Sequence, residues 1–379
     1  MVHLCPVLKA IRATCVNETR TFVQQGIRTR TENHRKLWNI ETSQIVIISK
    51  IKGIVSNNRG GTISNSNSVG IKINFPRCRK DRAYRQNAII KDKKEPLYNR
   101  QTRFMTVHPF TPAVLKEILT EYHPGHTAED LLALYSFTGG VAKYVQLLVD
   151  AGATTKSAML DHIVKADSIF LGEGKAILIE EFGKDYGVYF SILSAIARGK
   201  TSRSEIENVV GREIGGYLTK LENEYEVIAK KQPLFEKSST KNIRYTIEDN
   251  FFTFWFWFRF IYKYSYMLEI ENYESVKTII NRDYETFSGL MLERYFRRVL
   301  IERQAYTRIG GWWDRKGENE IDIVAENELD GEATFFEVKR KADNIDMKVL
   351  ENKAAAFLRA TDEFKGYKIS YKGLSMDDM

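Results

Sequence analysis

Asp322, Glu337 and Lys339 are the residues of this chain whose types and spacing could do chemistry. They fall in the stretch 320–339, EIDIVAENELDGEATFFEVK. Residues 321–325 alternate around Asp322, residues 334–339 are rich in β-formers, and Asp330-Gly331 between them is a hairpin signal, so the two segments should pair antiparallel. Successive side chains of a strand point to opposite faces; Glu337 and Lys339 therefore share one, and in the right register they look at Asp322 across the turn. Two carboxylates and an ammonium then converge. A hard cation such as Mg²⁺ wants oxygen ligands and keeps several waters, so Asp322 and Glu337 are the candidate ligands, while Lys339 would orient or help deprotonate an attacking water. The natural reaction is phosphodiester hydrolysis. The plainer reading of the same residues is an exposed hairpin carrying charges.

The residues around this hairpin must position it. They resemble the restriction-endonuclease-like PD-(D/E)XK superfamily, in which an Asp, a Glu-x-Lys and often a Glu from a preceding helix form the site. The resemblance implies Glu293 as that fourth catalytic residue. It sits in FSGLMLERYFRRVLIER (287–303), where Leu290, Phe296, Val299 and Leu300 recur at roughly helical spacing. Gly310-Gly311-Trp312-Trp313, followed by Glu320-Ile321-Asp322-Ile323-Val324-Ala325, is similar to the C-terminal domain appended to a family of archaeal-type ATPases. After the Glu-x-Lys, a helix from about Asn344 turns Met347, Leu350, Ala354 and Phe357 inward and should pack on the nuclease-like sheet.

Charge divides the chain unevenly. The net charge is +8, yet residues 1–90 hold 16 Lys and Arg against 4 Asp and Glu, which leaves the remainder at −4. The same segment holds all three cysteines (Cys5, Cys15, Cys78) and few aromatics, and is rich in Ser, Asn and Arg. It shows no sustained period apart from an apolar run at 45–49. It reads as poorly folded. From residue 91 the character changes. Residues 91–119 open a helix near Thr111-Pro112, where Pro is tolerated in the first turn. Together with LYSFTGGVAKYVQLLVDAG (134–152), this region is similar to the back half of the same ATPase family, which holds the last strands of the nucleotide domain and a helical lid. ATP binding in that family requires a Gly-rich loop ending in Gly-Lys-Ser/Thr and an acidic residue after an apolar strand. No G-x-x-x-x-G-K-[ST] occurs here, and the apolar run at 45–48 is followed by Ser49-Lys50. ATP is therefore not expected to bind. Residues 1 to about 88 read as a truncated or frame-shifted stand-in for the ATPase front half, with a natural basic arm that binds nucleic acid as the alternative.

Between these regions, residues 174–248 form a third unit. Residues 185–198 are amphipathic, with Tyr189, Ile192, Leu193 and Ile196 on one side. Ser202-Arg203-Ser204-Glu205 is a capping box starting a second helix, and residues 211–223 form a third with Ile214, Tyr217, Leu218 and Leu221 inward. Strands at 227–231 and 243–247 follow, joined by a loop carrying Lys237 and Lys241. That order is the winged-helix form of helix-turn-helix and resembles the family's middle domain. Arg212 and Lys220 would then meet DNA phosphates. Glu213, Glu222 and Glu224 argue instead for a protein-packing module.

The run FFTFWFWFRFIYKYSY (251–266) invites a membrane reading. A bilayer span needs ~20 apolar residues, and Arg259 and Lys263 interrupt this run well before that, so it is expected as a buried helix. No signal peptide is visible, and the cysteines lack metal spacing, which makes a reducing cytoplasm the expected setting. His108, His123 and His126 form no ligand set. The expected fold is a mixed α/β protein: a basic segment at 1–90, an ATPase remnant with helical lid at 91–173, a winged helix at 174–250 and a restriction-endonuclease-like domain at 251–379. The expected function is a nucleic-acid-associated degraded ATPase relative with Mg²⁺-dependent nuclease chemistry; the alternative is a non-enzymatic DNA- or protein-interaction module. DNA and protein partners, intact paralogues among them, are expected, and no membrane.

Overall fold

Residues 108–172, 182–236, 242–259 and 264–379 are described by a computed structural model. The basic segment at 1–90 with its cysteines and apolar run, residues 91–107, and Lys237, Lys241 and Lys263 lie outside the described residues. The chain divides into two units, residues 1–109 with 141–146, and residues 110–140 with 147–379. Of the first, the described part is His108, Pro109 and 141–146, where Val141, Tyr144 and Val145 are buried.

The second unit opens with helices whose starts are legible in the sequence. Thr111 caps α1 (Pro112–Tyr122), with Pro112 in the first turn as expected. In α2 (Ala128–Thr138), Thr127 and Asp130 form a reciprocal capping box, and Gly139 closes the helix at φ 60°. Helix α3 (Ala142–Asp150) begins in the residues assigned to the first unit and ends in the second, and is followed by α4 (Lys156–Ile163). Asp130 also accepts the Lys156 N–H at 2.7 Å, so one buried carboxylate joins the starts of α2 and α4.

Three further helices, α5 (Tyr186–Ala197), α6 (Arg203–Val210) and α7 (Gly215–Asn223), precede an antiparallel pair, β1 (Ile228–Lys231) and β2 (Arg244–Ile247). The Ser202–Glu205 capping box is present. The third helix starts later than expected, because Gly211 sits at φ 73° as the left-handed cap of α6 and cannot begin the next one. Ile214, Leu218 and Leu221 are buried, whereas Tyr217 is half-buried.

The aromatic run forms α8 (Asn250–Arg259) and continues in α9 (Tyr264–Glu269). Phe251, Phe252, Phe254, Trp255, Phe256 and Phe258 are buried, each contributing roughly 1.5–3 kcal/mol by removing apolar surface from water. Among the described residues no helix is long and apolar enough to cross a membrane. Helix α10 (Tyr273–Glu302) is 30 residues long and begins well before residue 287. Its buried stripe runs through Val276, Ile280, Tyr284, Phe287, Met291 and Tyr295. That stripe fixes the helix's rotation and leaves Leu290, expected inside, 37% exposed.

A four-stranded sheet completes the chain: β3 (Arg308–Trp313), β4 (Glu320–Asn327), β5 (Glu332–Val338) and β6 (Lys368–Leu374), in that order. The β4–β5 hairpin is antiparallel about Asp330-Gly331, with Gly331 at φ 63°. Strand β6 joins parallel to β5, reached through α11 (Met347–Ala360). Helix α11 is capped by Asp346, just after a 3₁₀ turn at Ala342–Asn344, rather than starting at Asn344. One sheet face buries Trp312, Ile321, Val324 and Phe335, together with Phe364 of the connection before β6, against Leu350, Ala354 and Phe357 of α11.

Candidate functional site

The two segments flanking Asp330-Gly331 pair in a register that sets Ile323 opposite Phe336, and the ladder stops there. Asp322, next in line, uses its side chain instead: its Oδ2 accepts the Val338 N–H at 2.8 Å. The reason lies on the other edge of β4. Gly310 pairs with Val324 but Trp312 with Ile321, so Asp322 and Ile323 together oppose the single residue Gly311. This is a β-bulge, a device that bends a strand and re-aims a side chain. It also explains why Ile321 and Val324, three residues apart, enter the same core.

Beyond the bulge the expected residues meet. The Lys339 ammonium lies 2.6 Å from Glu337 Oε1 and 3.7 Å from Asp322 Oδ2, so one cation touches both carboxylates. Glu337 is buried and Asp322 nearly so, while Lys339 is half-buried. Glu293 approaches from α10. It makes no ion pair among the described residues, yet it feels the charges of Asp322, Arg297, Glu320 and Lys339. Burial first, and then the Asp322 charge, push its carboxyl up to about 8. Burial also raises Asp322, and the Glu337 charge adds to it, against the Val338 N–H and Lys339. For Lys339 burial acts downward, but the Glu337 hydrogen bond and the two carboxylate charges outweigh it and keep the ammonium form.

Two residues of this centre were missed in the sequence. Lys353 on α11 places its ammonium 3.4 Å from Glu337 Oε2, giving that carboxylate a second cation. Arg297, one helical turn beyond Glu293, donates from Nη2 to the Asp322 carbonyl at 3.0 Å and holds the bulge from the α10 side. The i, i+4 spacing from Glu293 could have flagged Arg297. Lys353 is one of several lysines on its helix, and only the fold singles it out.

Among the described residues no group of three or more His, Cys, Asp and Glu side chains is gathered in a form that could hold a metal ion. The donors present are two carboxylates, Asp322 and Glu337, with Glu293 beside them. This set suits a cation that keeps several waters, since like charges held together in a buried place are relieved by a divalent ion.

Residues 257–354 match a family described as archaeal and bacterial proteins of unknown function. The match contains Glu293, Asp322, Glu337, Lys339 and Lys353. An uncharacterized protein of Methanocaldococcus jannaschii is 31% identical over 261 residues, which cover 65% of this chain and 55% of that protein. The chain thus spans about half the length of the curated relative it matches. No solved structure matches.

Proposed function

We propose that this chain is a nucleic-acid-associated protein whose C-terminal sheet hydrolyses phosphodiesters. The observation that carries this is the Lys339 ammonium bridging Asp322 and Glu337 at the bulged end of a hairpin. Mg²⁺ would be held by Asp322 and Glu337, and when bound it polarises the scissile phosphate. Lys339, kept as an ammonium, orients the attacking water and offsets the charge that grows on the phosphate oxygens. Glu293 supplies the third carboxyl at the edge of the centre, and Arg297 fixes the backbone that presents Asp322. The sheet with α10 and α11 is in this reading a restriction-endonuclease-like domain, α5 to β2 a winged helix, and the helices before them the lid of an archaeal-type ATPase. ATP binding belongs to that family's front half and is not expected of this chain, which has no G-x-x-x-x-G-K-[ST] sequence.

The test is Mg²⁺-dependent cleavage of plasmid and single-stranded DNA by the parent chain and by Lys339→Ala. The parent should cleave, and the variant should lose on the order of 10²-fold or more. Equal activity in both would place the reaction elsewhere. Absence of cleavage in both favours a second reading, a non-enzymatic interaction module. One observation supports that second reading: two ammonium groups already sit on Glu337 and satisfy it without a metal.

A further inference from the structure

A cleft of about 1380 Å³ opens between the β1–β2 ribbon and the β3–β4 turn, and Glu293 of the proposed centre lies in its lining. It exceeds the ~300–1,000 Å³ of pockets that enclose small ligands. Its floor is α10, where Arg294 and Arg297 lie side by side with Glu293. The Arg297 Nε is buried with no acceptor among the described residues, a donor of the kind proteins seldom leave unmet. At the rim, Arg315 and Lys316 are exposed and make no ion pair among the described residues. Five acidic residues also line the cleft: the Asp314 carboxylate is taken up by N–H groups of its own turn, Glu320 by Arg244 at 2.8 Å and Glu205 by its Ser202 cap, while Glu236 and Glu293 make no ion pair among the described residues. Half-buried aromatic rings, Trp257 and Tyr245, also line the cleft.

The walls are tied together at one end. Arg244 of β2 reaches Glu320 of β4 and lies 4.4 Å over the Trp313 ring, whose Nε1 donates to Asn242 Oδ1 at 2.9 Å. The opening between them is therefore fixed. Exposed, unpaired Arg315 and Lys316 at the rim of a cleft lined with aromatic rings suit a flexible polyanion whose bases are free to stack, which a duplex does not offer. We infer that this cleft binds a single-stranded polynucleotide and leads it to the Glu293 edge of the centre. This inference rests on the reading that the centre acts on phosphodiesters, and it names the substrate as single-stranded.

The experiment measures binding apart from cleavage. Fluorescent oligo-dT of roughly 15 nucleotides is titrated with the full chain in EDTA at several salt concentrations, and anisotropy is read. Arg315→Glu with Lys316→Glu should weaken binding at least tenfold and lower the log–log salt slope by about 1.4, at about 0.7 for each phosphate that is no longer neutralised. Arg212→Glu with Lys220→Glu, on and beside α7, reports the rival winged-helix site, whereas Lys165→Glu with Lys372→Glu, exposed and outside the cleft, should leave both unchanged. Circular dichroism melts confirm that each variant is folded. Oligo-dT bound tightly, displaced by neither duplex nor polyglutamate, supports the inference even if no DNA is cleaved, an outcome that would sink only the nuclease reading. The inference is overturned if oligo-dT does not bind, if the cleft variant binds as the parent does, if only the α7 variant loses binding, or if duplex or polyglutamate competes equally. Cleavage of DNA by a chain whose cleft variant binds normally would overturn it while leaving the nuclease reading in place.

Discussion

Glu337 and Asp130 show two ways of giving a buried carboxylate its partners. Glu337 is surrounded by ammonium groups, whereas Asp130 is held by N–H donors from Thr127 and Lys156 and by the Thr127 hydroxyl. Burial alone would raise the Asp130 pKa, but those donors win and hold it below 3.8. A depressed carboxyl stabilises the fold above its unfolded value and loses that contribution as pH falls through its folded value. Asp130→Ala should therefore cost about 2 kcal/mol at neutral pH, and the gap to the parent should narrow below pH 3.8, read from urea unfolding across pH. A constant gap would show that packing, not charge, is what Asp130 supplies. At this scale the clustering was legible where it lay within one hairpin: for Asp322, Glu337 and Lys339 it needed only period-two alternation and a turn. Lys353 was not, because it reaches the centre from a separate element whose docking no local pattern encodes, and Arg297 was signalled only by its i, i+4 spacing from Glu293.

Elements were legible wherever a cap or a turn residue marked them. Thr111-Pro112, Ser202 to Glu205 and Asp330-Gly331 set boundaries that the fold keeps, and the order of helices and strands in the second unit follows. What escaped was the glycine at 211, which reads equally as the last residue of one helix or the first of the next, and the length of α10. Gly310-Gly311 has a physical reason once the fold is seen. A Cβ at Gly310 would strike the Leu234 side chain, and one at Gly311 would lie 3.3 Å from Arg297 Nη2 and 3.4 Å from the Asp322 carbonyl. Strand β3 must be bare there so that the bulge and α10 can close on it. Gly310→Val should destabilise by about 1–3 kcal/mol through overpacking, seen as a lower denaturation midpoint. A midpoint equal to the parent's would show that Leu234 moves aside freely.

For the molecule as a whole, the described residues form a mixed helix and sheet structure, as expected. Resemblance, not composition, carried the expected division into lid, winged helix and nuclease-like sheet, since composition shifts sharply only near residue 90 and barely between 110 and 379. The missing phosphate loop is a whole-chain statement and has a whole-chain test. A micromolar ATP site would stabilise the fold by about 2.7 kcal/mol at a hundredfold excess over Kd. Mg-ATP should instead leave the melting temperature unchanged in differential scanning fluorimetry, and a saturable rise would show a nucleotide site that the sequence does not reveal.

The doubled residue in β4 has an evolutionary consequence. With Asp322 removed, Ile321, Ile323 and Val324 become a regular in–out–in strand, the spacing that the apolar core would take in a plain ladder. One deleted codon would thus discard the carboxylate and tidy the sheet together. Deletion of Asp322 should give a protein that melts no lower than Asp322→Ala, checked by calorimetry. On the proposed nuclease reading, relatives that have given up the reaction should be recognisable by a shortened strand reading Ile-Ile-Val.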